Sequence, residues 1–305
     1  MHIKTLLRIG ILFSTMATTG AHAALIVFAC EPEWAALAEE IAGDQVKTYS
    51  ATNALQDPHY IQARPSLIAK IRKADLLICS GSDLEIGWLP LLLRKGSNPR
   101  ILPGKPGYLM ASQHVRRLEI PLVVDRAQGD MHPQGNPHIQ TNPHNLATVA
   151  RVITRRFEQI DPDNSDNYQQ GLAAFEEKWN LAIAGWEERA APLRGKDVVY
   201  HHKSWAYLND WLGLIEVATL ESKPGVPPGG AHLSQLLVQL KARPAAIIIR
   251  TPYQNARPSE WLSKRTGIRA IVLPFTVGGT DDARDLYSLF DTSIRLLIEN
   301  MGGPR

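Results

Sequence analysis

The stretch GNPHIQTNP, residues 135–143, places one histidine between two prolines near the middle of a 305-residue chain. Each proline fixes its own φ angle and holds the preceding residue in extended geometry, so His138 is carried on a stiff loop. Because a stiff loop suits a preformed site, we interpret His138 as a metal ligand. A Pro-His dipeptide is also common in ordinary surface turns, so this interpretation depends on the other histidines.

Two further histidine positions share the features of this loop. His59 follows Pro58 in the same Pro-His arrangement, and the pair His201-His202 closes an apolar run. All three positions fall where an extended segment gives way to a predicted helix, and open α/β sheets bind ligands at such places. These positions strengthen the interpretation of His138 as a ligand.

Apolar runs of strand length alternate with segments of helical periodicity on both sides of this stretch. The first half predicts strands at 25–29, 46–49, 75–79, 101–102 and 122–123, and helices at 34–43, 65–71, 84–93 and 145–160, of which 84–93 is broken by Pro90. The second half predicts strands at 197–200, 214–220, 246–249 and 270–273, and helices at 205–212, 233–242, 259–266 and 285–299. This order predicts two α/β lobes.

Residues 165–191 separate the two halves and contain no proline, with only Gly171 and Gly185 as glycines. A helix of that length is about 40 Å long, which exceeds most helices inside a compact domain. We interpret it as one rigid helix joining the lobes; two helices that meet near Gly185 are the alternative. The predicted divisions are a signal peptide (1–23), an N-terminal α/β lobe (24–164), the linking helix (165–191) and a C-terminal α/β lobe (192–305).

The first 23 residues are typical of a secretory signal peptide. Lys4 precedes an apolar stretch that Arg8 interrupts, and Ala21-His22-Ala23 supplies a small-x-small cleavage pattern. The apolar run is shorter than the roughly 20 residues of a spanning helix, and no cysteine stands at the cleavage site to carry a lipid. We expect cleavage after Ala23 and a periplasmic protein.

The net charge and the two cysteines bear on the partners and the cellular compartment of the protein. Without Lys4 and Arg8, the chain has 31 basic and 30 acidic residues, so a nucleic-acid partner is not expected. Cys30 and Cys79 each end an apolar run. If those runs are neighbouring parallel strands, the two cysteines form a disulfide in an oxidising compartment; two buried free thiols are the alternative.

Several motifs together resemble one family, the substrate-binding proteins of bacterial metal-ion ABC transporters in the zinc/manganese class called cluster A-I. The motifs are Gly43-Asp44, Asp57-Pro58-His59, Pro65-Ser66, Ala74-Asp75-Leu76, Gly81 with Leu84-Glu85, Asn136-Pro137-His138, Asn142-Pro143, and His202 followed by Tyr207 and Gly213. Three others, at 30–34, 85–90 and 276–280, resemble the periplasmic zinc binders that lack a long histidine-rich insertion. The resemblance implies two α/β lobes joined by one long helix, with the metal between the lobes.

The resemblance also implies the ligands. The family's three imidazoles fall on His59, His138 and His202, and His202 is preferred to His201 because its spacing to Tyr207 fits the family motif. The family usually places a carboxylate after the last strand of the second lobe. This implies Asp281 as the fourth ligand, with Asp282 or water as alternatives.

Three neutral imidazoles and one carboxylate form a tetrahedral site that suits Zn²⁺, whereas Mn²⁺ favours more oxygen ligands. The loop containing Asp130 and His132 is a candidate for transient zinc capture, although a disordered loop with an incidental histidine is the preferred interpretation. His114, His144 and His232 are expected to have no metal role.

The resemblance implies zinc delivery to an ABC permease and its ATPase, from solution or from a periplasmic metallochaperone, by a monomer. A manganese-binding protein of the same class and a metal-binding adhesin are the alternatives. A zinc hydrolase needs an open coordination position and a nearby base. No His-Glu-x-x-His motif is present, so we expect no enzyme, although Glu31, Glu33 and Glu85 are candidate bases.

Overall fold

The computed structural model describes residues 23–123, 125, 127 and 129–301. The strands in this part are β1 (Leu25–Ala29), β2 (Val46–Ser50), β3 (Leu76–Cys79), β4 (Tyr108–Met110), β5 (Asp197–Tyr200), β6 (Ile215–Thr219), β7 (Ile247–Arg250) and β8 (Ala270–Val272). The helices are α1 (Pro32–Ala42), α2 (Pro65–Ile71), α3 (Leu89–Gly96), α4 (Pro143–Ile160), α5 (Ser165–Ala190), α6 (Ala206–Leu212), α7 (Gly230–Ala242), α8 (Ala256–Thr266) and α9 (Leu286–Met301). The predicted signal peptide lies outside the described residues, except for Ala23.

Each lobe is built on a four-stranded parallel sheet. The strand order is β2-β1-β3-β4 in the first lobe and β6-β5-β7-β8 in the second. The chain therefore reverses its direction of travel across the sheet beside β1 and beside β5. In open parallel sheets the loops at such a reversal form a crevice at the carboxyl ends of the strands. The prediction of two α/β lobes is confirmed.

The central strands are apolar because both of their faces are covered. Every residue of β3 is buried, and Val27 pairs with Leu76 in register across β1 and β3. Strands covered on both faces carry continuous apolar runs rather than alternating ones. At the carboxyl ends of these strands, Cys30 just after β1 and Cys79 at the end of β3 form a disulfide, with their Cα atoms 4.8 Å apart.

Helix α5 is one continuous helix of 26 residues, about 39 Å long, and it runs through Gly185 without a break. It packs against α1 and α4 of the first lobe and against α9 of the second. At Gly171 it passes so close to α1 that a Cβ atom would lie 1.8 Å from the carbonyl oxygen of Ile41. Only glycine fits this crossing.

The buried indole of Trp179 on α5 contacts elements that flank the helix on both sides. Its Nε1 donates to the carbonyl oxygen of Pro143 at 2.9 Å, at the start of α4. Its ring packs edge-on against Tyr287 and Phe290 of α9, with centroids 5.0 and 5.6 Å away. The linking helix is thus fixed to both lobes by packed aromatic surface.

Three of the predicted elements differ in the structure. The helix predicted over 84–93 begins at Leu89, because Pro90 lacks the N–H that a helix interior needs and fits only in the first turn. The strand predicted at 101–102 is wrong, since Pro99–Ile101 forms a 3-10 turn and the sheet is completed by β4. Leu122 and Val123 are exposed and lie in a bend rather than a strand.

Among the residues that the structure describes, no helix combines the length and the apolar character needed to cross a bilayer.

Candidate metal centre

Three imidazoles converge between the lobes. His59 lies in the loop after β2, His138 in the segment before α4, and His202 just after β5. One ring nitrogen of each lies within 4.8 Å of the other two. The ring centroid of His59 lies 5.4 Å from that of His138 and 5.5 Å from that of His202. The structure therefore brings together the three histidines that were predicted from the sequence. His202, not His201, is the member of the pair whose ring lies with the other two.

Local turns aim two of these rings. In Asp57-Pro58-His59, the Asp57 carboxylate accepts from the backbone N–H of His59 at 3.0 Å and from its Nδ1 at 2.7 Å. In Asn136-Pro137-His138, the Asn136 side-chain oxygen accepts from the same two groups of His138, at 3.0 and 2.9 Å. Such side-chain-to-backbone turns are typical of Asp and Asn. Each Asx-Pro-His triplet is thus a self-contained unit that orients one imidazole.

The ring of His202 is oriented by a residue distant in sequence. Its Nδ1 donates to Glu221 Oε2 at 2.7 Å, and Glu221 follows β6, 19 residues later. In all three imidazoles an oxygen acceptor holds the Nδ1 proton, so the lone pair of each Nε2 is free for a metal. Sequence analysis missed these roles of Asp57, Asn136 and Glu221. The first two have a signal in the recurring Asx-Pro-His triplet.

His138 is the most deeply buried of the three histidines. It is 1% exposed, and its Nε2 has no hydrogen-bond partner among the described residues. Burial, and then the neighbouring His59 and His202, hold the pKa of His138 well below its ordinary value. A buried polar atom without a partner is costly, and a neutral imidazole is the form that binds metal. These features fit a ligand.

The structure does not bring Asp281 to the imidazoles. Asp281 and Asp282 are both exposed, and Asp282 pairs with Arg295 at 2.9 Å. The segment folds back on itself, since the N–H of Gly278 donates to the carbonyl oxygen of Ala283. What it presents to the site is the ring of Phe275, centred 5.5 Å from that of His138. Asp281 is thus not part of the group of donor atoms around the three imidazoles among the described residues, and its role as fourth ligand stays a prediction.

His132 of the candidate capture loop lies against the site instead. Its Nε2 is 3.3 Å from the Nε2 of His59, and its Nδ1 lies 2.9 Å from the carbonyl oxygen of Ser82. Burial, and then His59, lower the pKa of His132 to about 4. The carboxylate of Asp130 accepts from the Tyr60 hydroxyl, and Asp130 lines the same cavity as His132, His138 and His202.

The remaining histidines make other contacts. His144 bonds Glu187 at 2.8 Å, and His232 bonds the carbonyl oxygen of Thr219 at 2.9 Å. His201 is buried beside Glu221, with its Nε2 3.9 Å from the carboxylate, and burial lowers its pKa.

The three carboxylates considered as hydrolytic bases form a separate buried cluster. Glu31 accepts from Ser80 and from the Trp34 indole, Glu85 accepts from the N–H of Gly81, and Glu33 accepts from Thr276. None of them belongs to the group of donor atoms around the imidazoles in the described residues. The three carboxyl groups therefore hydrogen-bond within the protein core and do not face the three imidazoles.

Two parallel-sheet lobes, a long linking helix and imidazoles from both lobes define a two-lobed, metal-binding substrate-binding protein. The chain belongs to the family described as "Zinc-uptake complex component A periplasmic", whose model matches residues 27–300. The family consists of solute-binding components of ABC metal transporters rather than enzymes. A permease and an ATPase are therefore its partners.

Relatives in this family are named for two metals. The chain is 25% identical over 275 residues to the manganese ABC transporter substrate-binding lipoprotein PsaA of Streptococcus pneumoniae, covering 87% of this chain and 85% of that protein. It is 25% identical over 245 residues to the high-affinity zinc uptake system protein ZnuA of Yersinia pestis, covering 76% and 77%. A crystal structure of ZnuA shares the fold, with a TM-score of 0.77 at 22% identity, over 92% of this chain and 100% of that one.

Proposed function

We propose that this protein captures Zn²⁺ outside the cytoplasm with high affinity and delivers it to the permease of an ABC importer. The observation that carries the proposal is the set of three imidazoles whose Nδ1 protons are all held by oxygen acceptors. The acceptors fix both the tautomer and the orientation of each ring before the metal arrives. A preorganised site loses little entropy on binding, which favours tight capture.

Zinc is proposed over manganese because of the chemistry of the donors. Imidazole nitrogen suits Zn²⁺, whereas Mn²⁺ is served better by carboxylate, carbonyl and water oxygen. The carboxylates nearest the rings, Asp57 and Glu221, are occupied with Nδ1 protons. Burial raises the pKa of Asp57, but the hydrogen bonds from His59 and the charges of His59 and His202 outweigh burial and leave this pKa below its ordinary value, so Asp57 acts as an anionic acceptor.

A location outside the cytoplasm is proposed from two observations. The segment 1–23 is typical of a cleaved signal peptide. The Cys30–Cys79 disulfide is fully buried, and structural disulfides persist in oxidising compartments such as the periplasm. A monomer is proposed because one chain supplies all three imidazoles, and delivery by a metallochaperone stays a prediction.

Metal analysis tests the proposal directly. Protein purified without added metal is expected to hold one tightly bound zinc per chain and to keep it in competition with Mn²⁺. Retention of manganese in place of zinc would establish the alternative of a manganese carrier. An adhesin with this fold should still bind its host surface after chelation, which a pull-down with metal-free protein measures.

Alanine substitutions test the ligands. His59→Ala, His138→Ala and His202→Ala should each lower zinc affinity by more than the about 10- to 100-fold cost of losing an outer hydrogen-bond partner. His114→Ala and His232→Ala are the matched controls, because both residues make no contact with the three rings. Unchanged affinity in His202→Ala would transfer the ligand role to His201.

A further inference from the structure

We propose that His132 is the fourth ligand, so that this chain holds its zinc through four imidazoles. The inference rests on the proposed zinc function and concerns a residue outside the three motif histidines. Its starting point is the distance of 3.3 Å between the Nε2 atoms of His132 and His59. Two nitrogens on a tetrahedral zinc with Zn–N bonds of about 2.0–2.1 Å lie about 3.3–3.4 Å apart.

The contact between these two nitrogens is not an ordinary hydrogen bond. The Nδ1 of His132 faces the carbonyl oxygen of Ser82, and the Nδ1 of His59 faces the carboxylate of Asp57. A carbonyl oxygen and an ionised carboxylate only accept, so both Nδ1 atoms are donors, and in the neutral tautomers that bind metal each Nε2 carries a lone pair. Both Nε2 atoms then present lone pairs to each other, and a cation between them turns this repulsion into coordination.

The rings of His138 and His202 lie near that of His132, around one cavity. The centroid of His132 is 6.2 Å from that of His138, whose buried Nε2 has no partner among the described residues. Together with His138 and His202, His132 lines a cavity of about 90 Å³. That space is large enough to hold a metal ion. The side chain that completes the site therefore comes from the first lobe, not from Asp281 in the second.

The loop that carries His132 has a defined shape. It begins at Gly129 and ends at Gly135, whose φ angles of +91° and +102° are unfavourable for other residues. The N–H of Asp130 donates to the carbonyl oxygen of Pro224 at 2.8 Å, so the loop crosses to the second lobe. The next residue, Gly225, donates its N–H to Glu221, which also holds His202. One network thus positions His132 and His202 together.

X-ray absorption at the zinc edge tests the ligand count on the unaltered protein. Four imidazoles are expected in the zinc-loaded wild type, and three imidazoles with one oxygen in His132→Ala. The same variant should lose more zinc affinity than the about 10- to 100-fold cost of removing an outer hydrogen-bond partner, as measured by chelator competition. Asp281→Asn is the matched control, and it should retain wild-type affinity and four imidazoles.

The outcomes separate this inference from the proposed function. Three imidazoles in the wild type, an unchanged affinity in His132→Ala, or a loss of affinity in Asp281→Asn would each overturn the role of His132 while leaving zinc binding intact. Absence of bound zinc in the wild type would instead overturn the proposed function. Circular dichroism of each variant checks that a loss of affinity is not a loss of fold.

Discussion

Glu33 makes the stability of this protein depend on pH, and Glu33→Gln should remove part of that dependence. Glu33 lies on α1 and is 1% exposed. Its Oε2 accepts from the hydroxyl of Thr276 in the second lobe at 2.5 Å, while its Oε1 has no partner among the described residues. Glu31 and Glu85 are buried nearby, so three carboxyls share one apolar region.

The magnitude follows from the pKa of Glu33. Burial raises it from 4.5 to about 7, against the opposing effect of the Thr276 bond. At about 1.4 kcal/mol per pKa unit, this shift corresponds to roughly 3 kcal/mol. Between pH 4.5 and 7 the folded protein keeps a proton that the unfolded chain releases, so the free energy of unfolding falls as pH rises through that window. Above about pH 7 the free energy of unfolding falls no further on account of Glu33.

Glutamine keeps the shape and the acceptor oxygen but cannot ionise. Glu33→Gln should therefore match the wild type in stability near pH 4 and exceed it by roughly 3 kcal/mol at pH 8. Urea unfolding of chelator-treated protein across this range measures the difference, with the exposed Glu39→Gln on the same helix as the control. A difference between wild type and Glu33→Gln that stays constant with pH would refute the reasoning.

Two further predictions concern the disulfide and the site loops. In the double variant Cys30→Ala/Cys79→Ala, the free energy of unfolding should be lower by about 4 kcal/mol, because the disulfide closes a loop with a sequence separation of 49. Reductant should then destabilise the wild type but not the variant. Removal of zinc should speed hydrogen exchange in residues 129–135 and 224–230, because the metal holds the rings to which these loops are bonded. Equal protection with and without zinc would contradict this expectation.

Short-range chemistry explains what the sequence by itself determined. Alternating apolar runs and helical periodicity predicted both parallel-sheet lobes and the linking helix, because these patterns reflect burial on the two faces of a strand and one face of a helix. The ligands His59 and His138 were predictable because each ring is aimed by an Asx-Pro turn three residues long. Such turns depend on no distant part of the chain.

Only the tertiary structure decided the rest of the site. Glu221 holds His202 from 19 residues away, and His132 meets His59 across 73 residues. Asp281 lies in the loop that the sequence indicated, yet its side chain is exposed, and the ring of that segment that packs against His138 is Phe275. These contacts depend on how two lobes and their loops pack together, and no local pattern records that packing. The sequence therefore located the imidazoles, and the fold decided which groups orient them and which group can complete their coordination.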